Sequence, residues 1–176
     1  MEYQNKRWKH IEGLFGKISK EDHPIFSSSI QNLSFSSGDV IVQEGEVTSS
    51  LYLVLEGELQ TLLLVDGQNV ALSKLVAGSF FGEVSLLDPG PASATVKAVD
   101  SGELLIFSHA SLIKMQKNHP RLFSSIVKRL SLHLAESLRR SGRGRLQQNS
   151  DSWEIDSNKE QSQSIFSWFG RIIFGK

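Results

Sequence analysis

The chain has 176 residues, with 19 basic and 19 acidic side chains, so it has room for one hydrophobic core and no net charge that would attract nucleic acid or an anionic membrane. The absence of cysteine excludes disulfides, thiolate nucleophiles and cysteine-ligated zinc. The N-terminal MEYQNKRWKHIEG has no apolar stretch behind its basic residues, and no apolar run reaches the roughly 20 residues of a spanning helix. A cytoplasmic protein is expected.

Residues 1–32 are predicted to form two or three short helices. The apolar positions of this segment are mostly three or four residues apart, the spacing of one helix face. They are Trp8, Ile11, Leu14, Phe15 and Ile18.

Residues 33–107 have the sequence pattern of a β-domain. Short apolar runs rich in Val, Leu and Phe alternate with turn signals at SSGD, EGE, EGE, VDGQ, VAG, DPGP and DSGE. Asp66-Gly67 lies between two apolar runs and predicts a tight hairpin turn, because both positions favour positive φ. Turns this frequent indicate a sandwich or a barrel.

Residues 108–140 return to helical spacing, with Pro120 between two helical segments. One apolar ridge is predicted along the second helix, which is expected to be about 19 residues long. The ridge consists of Phe123, Val127, Leu130, Leu134 and Leu138, and Leu122, Ile126 and Arg129 form an adjacent stripe. The ridge is predicted to cover the barrel as a lid or to pair with a second copy in a homodimer.

The C-terminal part is predicted to be a flexible polar linker, residues 141–164, followed by a short amphipathic tail, residues 165–176. The large apolar side chains of the tail are Ile165, Phe166, Trp168, Phe169, Ile172 and Ile173. Packing onto the barrel is one alternative for the tail. Docking to a protein complex or to a membrane surface is the other, and the polar segment ahead of the tail favours it.

An arginine cluster precedes the linker: Arg139, Arg140, Arg143 and Arg145. These side chains are candidates for binding nucleic acid or lipid phosphate. A helix C-terminus followed by a soluble linker explains the same cluster, since cations there complement the helix dipole.

The stretch FGEVSLLDPGPASATVKA, residues 81–98, predicts a strand that ends at Gly82 and turns into a short helix. Backbone N–H groups at such a turn are suited to an anion, although no arginine follows. Glu83 is expected at the rim, where it accepts a bond from a sugar hydroxyl or caps the backbone amides of the turn. The structural alternatives are that Gly82 shapes the turn and that Ser93 and Thr95 bond to neighbouring backbone.

The ordered motifs of residues 8–140 resemble the cyclic nucleotide-binding domain of cAMP receptor proteins, kinase regulatory subunits and cyclic-nucleotide-gated channels. LSFSSGDVIVQEGEVTSSLYLVLEGELQ is similar to the first half of the barrel, LSKLVAGSFFGEVSLLDPGPASATVKA to the phosphate-binding cassette, and ELLIFSHASLIKMQKNHPRLFSSIVKRL to the last strand and lid helices. The resemblance implies a mainly β fold, a double-stranded β-helix (jelly-roll) barrel with N-terminal helices and C-terminal lid helices.

The resemblance implies cAMP or cGMP as the ligand, bound by residues at the positions Gly82, Glu83, Val84, Ala92, Ser93 and Thr95. Glu83 would bind the ribose 2′-OH, and Ala92 stands where the family has the arginine that holds the cyclic phosphate. Losing that arginine removes roughly 3–5 kcal/mol, or two to four decades of affinity. Lys74 or Lys97 would have to replace it, and a lysine offers a point charge rather than a fork.

Two functions follow, and neither is enzymatic, because no nucleophile elbow, P-loop or Gly-rich dinucleotide motif is present. The five histidines are scattered and predict no metal site. A helix-turn-helix domain would need about 70 further residues after the long helix, so DNA binding is not expected. The favoured hypothesis is a regulatory or adaptor module with a weakened nucleotide site and a docking tail. The alternative is a functional cyclic nucleotide sensor whose lid helix controls the tail.

Overall fold

The structure, a computed structural model, describes the backbone of residues 2–150 and the side chains of residues 6–139. The helices are α1 (Glu2–Phe15), α2 (His23–Ser28), α3 (Glu83–Leu87), α4 (His109–Asn118) and α5 (Pro120–Ser150). The strands are β1 (Ile30–Phe35), β2 (Val40–Val42), β3 (Val47–Thr48), β4 (Ser50–Glu56), β5 (Leu59–Val65), β6 (Gln68–Leu75), β7 (Phe80–Phe81), β8 (Gly90–Pro91), β9 (Thr95–Ala98) and β10 (Gly102–Ser108). The predicted tail lies outside the described residues.

The strands form two four-stranded antiparallel sheets, in the orders β1-β10-β4-β7 and β2-β9-β5-β6, with a small ladder between β3 and β8. Apart from the β5–β6 hairpin, neighbours in each sheet come from distant parts of the sequence, as in a jelly roll, and the predicted fold class is confirmed. The β5–β6 hairpin turns at Asp66 and Gly67, which have φ of 51° and 77°. The prediction of a tight turn there is confirmed.

Two apolar clusters hold these layers together. The larger one joins the helices to the β1-β10-β4-β7 sheet, and Phe26 at its centre packs against Phe15 and Phe107 with ring centroids 5.2 and 5.8 Å away. The smaller cluster fills the barrel between the two sheets. Successive side chains of a strand point to opposite faces, so Phe80 packs on the helical side and Phe81 on the barrel side.

The buried line of α5 differs from the predicted ridge. Leu122, Ile126 and Leu130 are the buried side chains of this helix, whereas Phe123 and Val127 are only half-buried at the edge of the larger cluster. Farther along the predicted ridge, Leu134 is half-buried and Leu138 is 49% exposed. Leu122 and Ile126 of the stripe predicted as adjacent therefore face the core together with Leu130 of the predicted ridge, whereas Arg129 of that stripe is exposed. Two neighbouring apolar stripes have the same helical period, and tertiary packing selects between them.

The helix α5 is longer than the sequence predicts, because it continues to Ser150 through the first ten residues of the proposed linker. Pro120 occupies its first position, where the missing N–H costs nothing. Gly142 and Gly144 lie within the helix; each costs about 1 kcal/mol relative to alanine, which weakens a helix without ending it. The boundary predicted at residue 141 is corrected accordingly.

Candidate functional site

The cassette predicted from the sequence is built where β7 meets α3. Gly82 has φ of 81° and joins the two elements. A Cβ atom at this position would collide with the backbone oxygen of Ser50 on β4 and would touch the ring of Tyr52. Gly82 is therefore required by the close approach of α3 to β4, which supports the structural alternative for this residue.

An inner cavity of about 110 Å³ lies inside the barrel beside the cassette. Tyr52 and Phe81 form one wall, with their rings stacked 4.8 Å apart. The complete lining is Val42, Thr48, Tyr52, Thr61, Phe81, Gly82, Ser85, Ala92, Ser93, Ala94 and Val96. Among the described residues, no charged side chain lines this cavity.

An outer groove of about 490 Å³ adjoins the inner cavity, and Ser85, Ala92 and Ser93 line both. Its other lining residues are Glu44, Gly45, Val84, Asp88, Pro89, Gly90 and Pro91. The charged side chains of this lining are both carboxylates, Glu44 and Asp88. The approach to the cavity is thus electronegative.

Backbone bonds fix the neck between the cavity and the groove. The N–H of Ala92 donates to the carbonyl of Glu46 at 2.8 Å, and the N–H of Gly45 donates to the carbonyl of Ala92 at 2.8 Å. These bonds extend the β3–β8 ladder, which pairs Val47 with Pro91. Both backbone polar groups of Ala92 are therefore already hydrogen-bonded within the barrel.

Thr95 is buried and acts within the fold. Its Oγ1 accepts bonds from Nε2 of Gln43 and from the N–H of Glu44, both at 3.1 Å. Oε2 of Glu44 in turn accepts from the N–H of Leu64 at 3.0 Å. Thr95 thus corresponds to its structural alternative: it fixes the backbone of Glu44, whereas the N–H of Leu64 holds the Glu44 carboxylate.

Glu83 lies apart from both cavities. It is the first residue of α3, and burial raises the pKa of its carboxyl, against the lowering effects of its own backbone N–H and of His133. His133 of α5 packs edge-on against Phe80, with ring centroids 5.2 Å apart, and its Nε2 donates to the carbonyl of Leu14 at 3.0 Å. Glu83 therefore lies where the cassette, the lid helix and α1 meet, and it lines neither the inner cavity nor the outer groove. Its role toward a ribose hydroxyl stays a prediction.

We expect Glu83→Gln to stabilise the domain at neutral pH and to have little effect in acid. The folded-state pKa of Glu83 is above its unfolded value of about 4.3, so its contribution to the free energy of unfolding is fully present below pH ~4.3 and is lost as the pH rises through the folded pKa. Glutamine stays uncharged at every pH. Thermal unfolding of both proteins from acid to neutral pH measures the difference, and a difference independent of pH contradicts the burial of this charge.

Neither lysine considered as a substitute for the arginine reaches the cavity. Nζ of Lys74 lies 2.8 Å from Oε1 of Glu58, and this hydrogen bond raises the pKa of Lys74. Lys97 is exposed on β9 and belongs to neither lining.

The predicted site residues Gly82, Ala92 and Ser93 do meet at the inner cavity, and Val84 lines only the groove.

The sequence reasoning missed the two carboxylates of the groove and the role of His133. Asp88 follows α3 directly and is the first residue of the DPGP turn, so its closeness to Ala92 is a signal that the sequence contains. Glu44 and His133 are distant in sequence from the cassette, at 38 positions or more from Gly82, and only the fold brings them near.

No helix in the described part of the chain is long and apolar enough to cross a membrane, and no group of three metal-ligating side chains was found among the described residues.

Comparison with known proteins agrees with this architecture. The family model of the cyclic nucleotide-binding domain matches residues 32–119, half of the chain. The cyclic AMP receptor protein of Thermus thermophilus is 30% identical over 70% of this chain and 58% of its own length. A cAMP-dependent protein kinase regulatory subunit of Mycosarcoma maydis is 31% identical over 48% of this chain and 16% of its own.

A solved cyclic nucleotide-binding domain from Methylobacillus flagellatus superposes with a TM-score of 0.73, covering 88% of each chain at 23% identity. At that identity, the likeness establishes the fold. The chain spans less than two thirds of the two relatives above, which contain segments that it does not match.

Proposed function

The chain belongs to the cyclic nucleotide-binding domain family, and from this premise we propose that it is a non-enzymatic, cytoplasmic regulatory or adaptor module whose site binds cAMP and cGMP weakly. The observation that carries the proposal is the lining of the inner cavity. Ala92 lines the neck, the position at which the resemblance places the family's phosphate arginine, and the described lining of the cavity contains no cationic side chain. A cyclic phosphate in this cavity would lose its hydration without gaining an ionic partner.

Titration calorimetry of the full chain with cAMP and cGMP tests the proposal. Loss of a charge-assisted pair of bonds leads us to expect dissociation constants of hundreds of micromolar or more, roughly two decades above a micromolar site. Micromolar or tighter binding of either nucleotide would refute it.

The arrangement of the lid favours a second candidate, a cyclic nucleotide sensor. His133 of α5 lies close enough to Glu83 to affect its pKa and is bonded to Leu14 of α1, so the cassette and both flanking helices share one junction. A ligand that moved Glu83 would move α5. This candidate requires a ligand that binds one position of α5 more tightly than another. If the ligand is cAMP or cGMP, it would have to bind without the arginine.

We propose that the tail, residues 165–176, docks to a protein complex or to a membrane surface. The support is in the sequence: Trp168, Phe169, Ile172 and Ile173 share one helical face, with Arg171 opposite. A homodimer through the predicted ridge of α5, from Phe123 to Leu138, also stays a prediction. Leu138 is 49% exposed, whereas Leu130 is buried within the domain. The DNA-binding mode is not proposed.

Replacing Trp168 and Phe169 by alanine should abolish docking by the tail, since each aromatic ring contributes a large apolar area. Co-flotation of the full chain with anionic liposomes is the measurement for a membrane target. A pull-down with residues 160–176 is the measurement for a protein target. Equal recovery of the native and the doubly substituted tail in both experiments contradicts the docking role.

A further inference from the structure

We propose that the inner cavity and the adjoining outer groove together accept an uncharged, nucleoside-sized ligand in preference to a cyclic nucleotide. The inference rests on the proposed function, because it assigns a ligand class to the same pocket. It goes further by stating that the pocket is selective against the phosphate, rather than simply degraded.

The charges around the pocket are arranged against an anion. A ligand that enters through the outer groove passes Glu44 and Asp88, whose carboxylates are the charged groups of the described lining. Glu44 is held rather than free to swing aside, because its carboxylate accepts from the N–H of Leu64 at 3.0 Å and its own N–H donates to Oγ1 of Thr95 at 3.1 Å. A fixed carboxylate at a pocket mouth repels an anion, and more strongly as water is displaced.

The backbone N–H of Ala92 does not compensate for this repulsion. The N–H of Ala92, at the position where the family holds a phosphate, donates to the carbonyl of Glu46. Breaking that bond to bind a phosphate would undo part of the β3–β8 ladder. The neck therefore offers an anion neither a cation nor this backbone donor.

A cation is also disfavoured within the inner cavity, since no carboxylate lines it in the described part of the chain. The lining instead combines an aromatic wall with side-chain hydroxyl groups. Tyr52 and Phe81 are stacked on one side, and Thr48, Ser85 and Ser93 contribute hydroxyls. This combination matches a molecule with a planar ring and several hydroxyls, such as a nucleoside. The adjoining groove of about 490 Å³ gives such a ligand an entry and space for its polar end.

Titration calorimetry of the full chain with adenosine, guanosine and their 3′,5′-cyclic monophosphates tests the inference. We expect at least one nucleoside to bind at least about tenfold more tightly than its cyclic monophosphate. A matched variant, Glu44→Gln with Asp88→Asn, preserves shape and removes both charges. It should lower the ratio of nucleoside to cyclic nucleotide affinity by about threefold or more.

Each outcome has a defined meaning. No measurable binding of either nucleoside overturns the inference and leaves the proposed function intact. Micromolar binding of a cyclic nucleotide, tighter than that of its nucleoside, overturns both. A nucleoside preference that the charge-neutral variant does not reduce overturns the electrostatic selection, because it would place the origin of the preference elsewhere.

Discussion

Ala92→Arg should raise the affinity of the chain for cAMP by about two orders of magnitude or more. Ala92 lines the neck between the inner cavity and the outer groove, so a longer side chain at this position lies at the entrance to the ligand space. A guanidinium binds a phosphate through two parallel charge-assisted bonds, each contributing about 1.5–3 kcal/mol. Titration calorimetry with the native and substituted chains measures the gain.

The matched control is Ala92→Gln, which adds length and hydrogen-bonding groups but no charge. If the gain comes from the ionic fork, the glutamine variant should bind cAMP no more than about threefold better than the native chain. Adenosine should gain nothing from the arginine. Equal gains in both variants, or a gain below about tenfold with arginine, would show that Ala92 does not limit binding.

Gly82→Ala should destabilise the domain by about 3 kcal/mol or more, for two reasons that add. A side chain at positive φ costs about 1–2 kcal/mol, and a Cβ at this position would collide with the backbone of Ser50, which has no flexible end to move aside. For a domain of this size the unfolding temperature should fall by roughly 6–12 °C.

Gly67→Ala separates the two reasons. Gly67 has φ of 77°, close to the 81° of Gly82, but a Cβ there would meet nothing within 4 Å. This variant should lose only the conformational part, about 1 kcal/mol. Thermal or urea unfolding of both variants decides the matter. If both lose the same stability, the contact between the cassette and β4 is not as tight as the structure has it.

Local signals predicted much of the fold, because they depend on neighbouring residues. The turn at Asp66-Gly67 is predictable because both residues favour positive φ. The buried face of α1 is predictable from the spacing of its apolar residues. The order of the barrel motifs predicted the jelly roll and the location of the cassette. In these cases, sequence and fold carry the same information.

The remaining features depend on contacts between distant residues. Leu122 and Phe123 are equally plausible core positions on a helix, and packing against α1 and α4 decides for Leu122. The position of Glu83 outside the cavity depends on the surroundings that α5 and α1 create. The linker predicted for residues 141–164 begins with Gly142 and Gly144 close to its start, yet single glycines only weaken a long helix.

The length of α5 has a mechanical consequence. Leu130 is the last fully buried side chain of α5 among the described side chains, which end at residue 139. From Leu130 to Ser150 the helix runs 20 residues, about 30 Å at 1.5 Å per residue. A helix of this kind is a lever whose fulcrum lies beside His133. A tilt of 10° about this point displaces the far end by about 5 Å. Small rearrangements around the cassette are thereby amplified toward the part of the chain that precedes the tail.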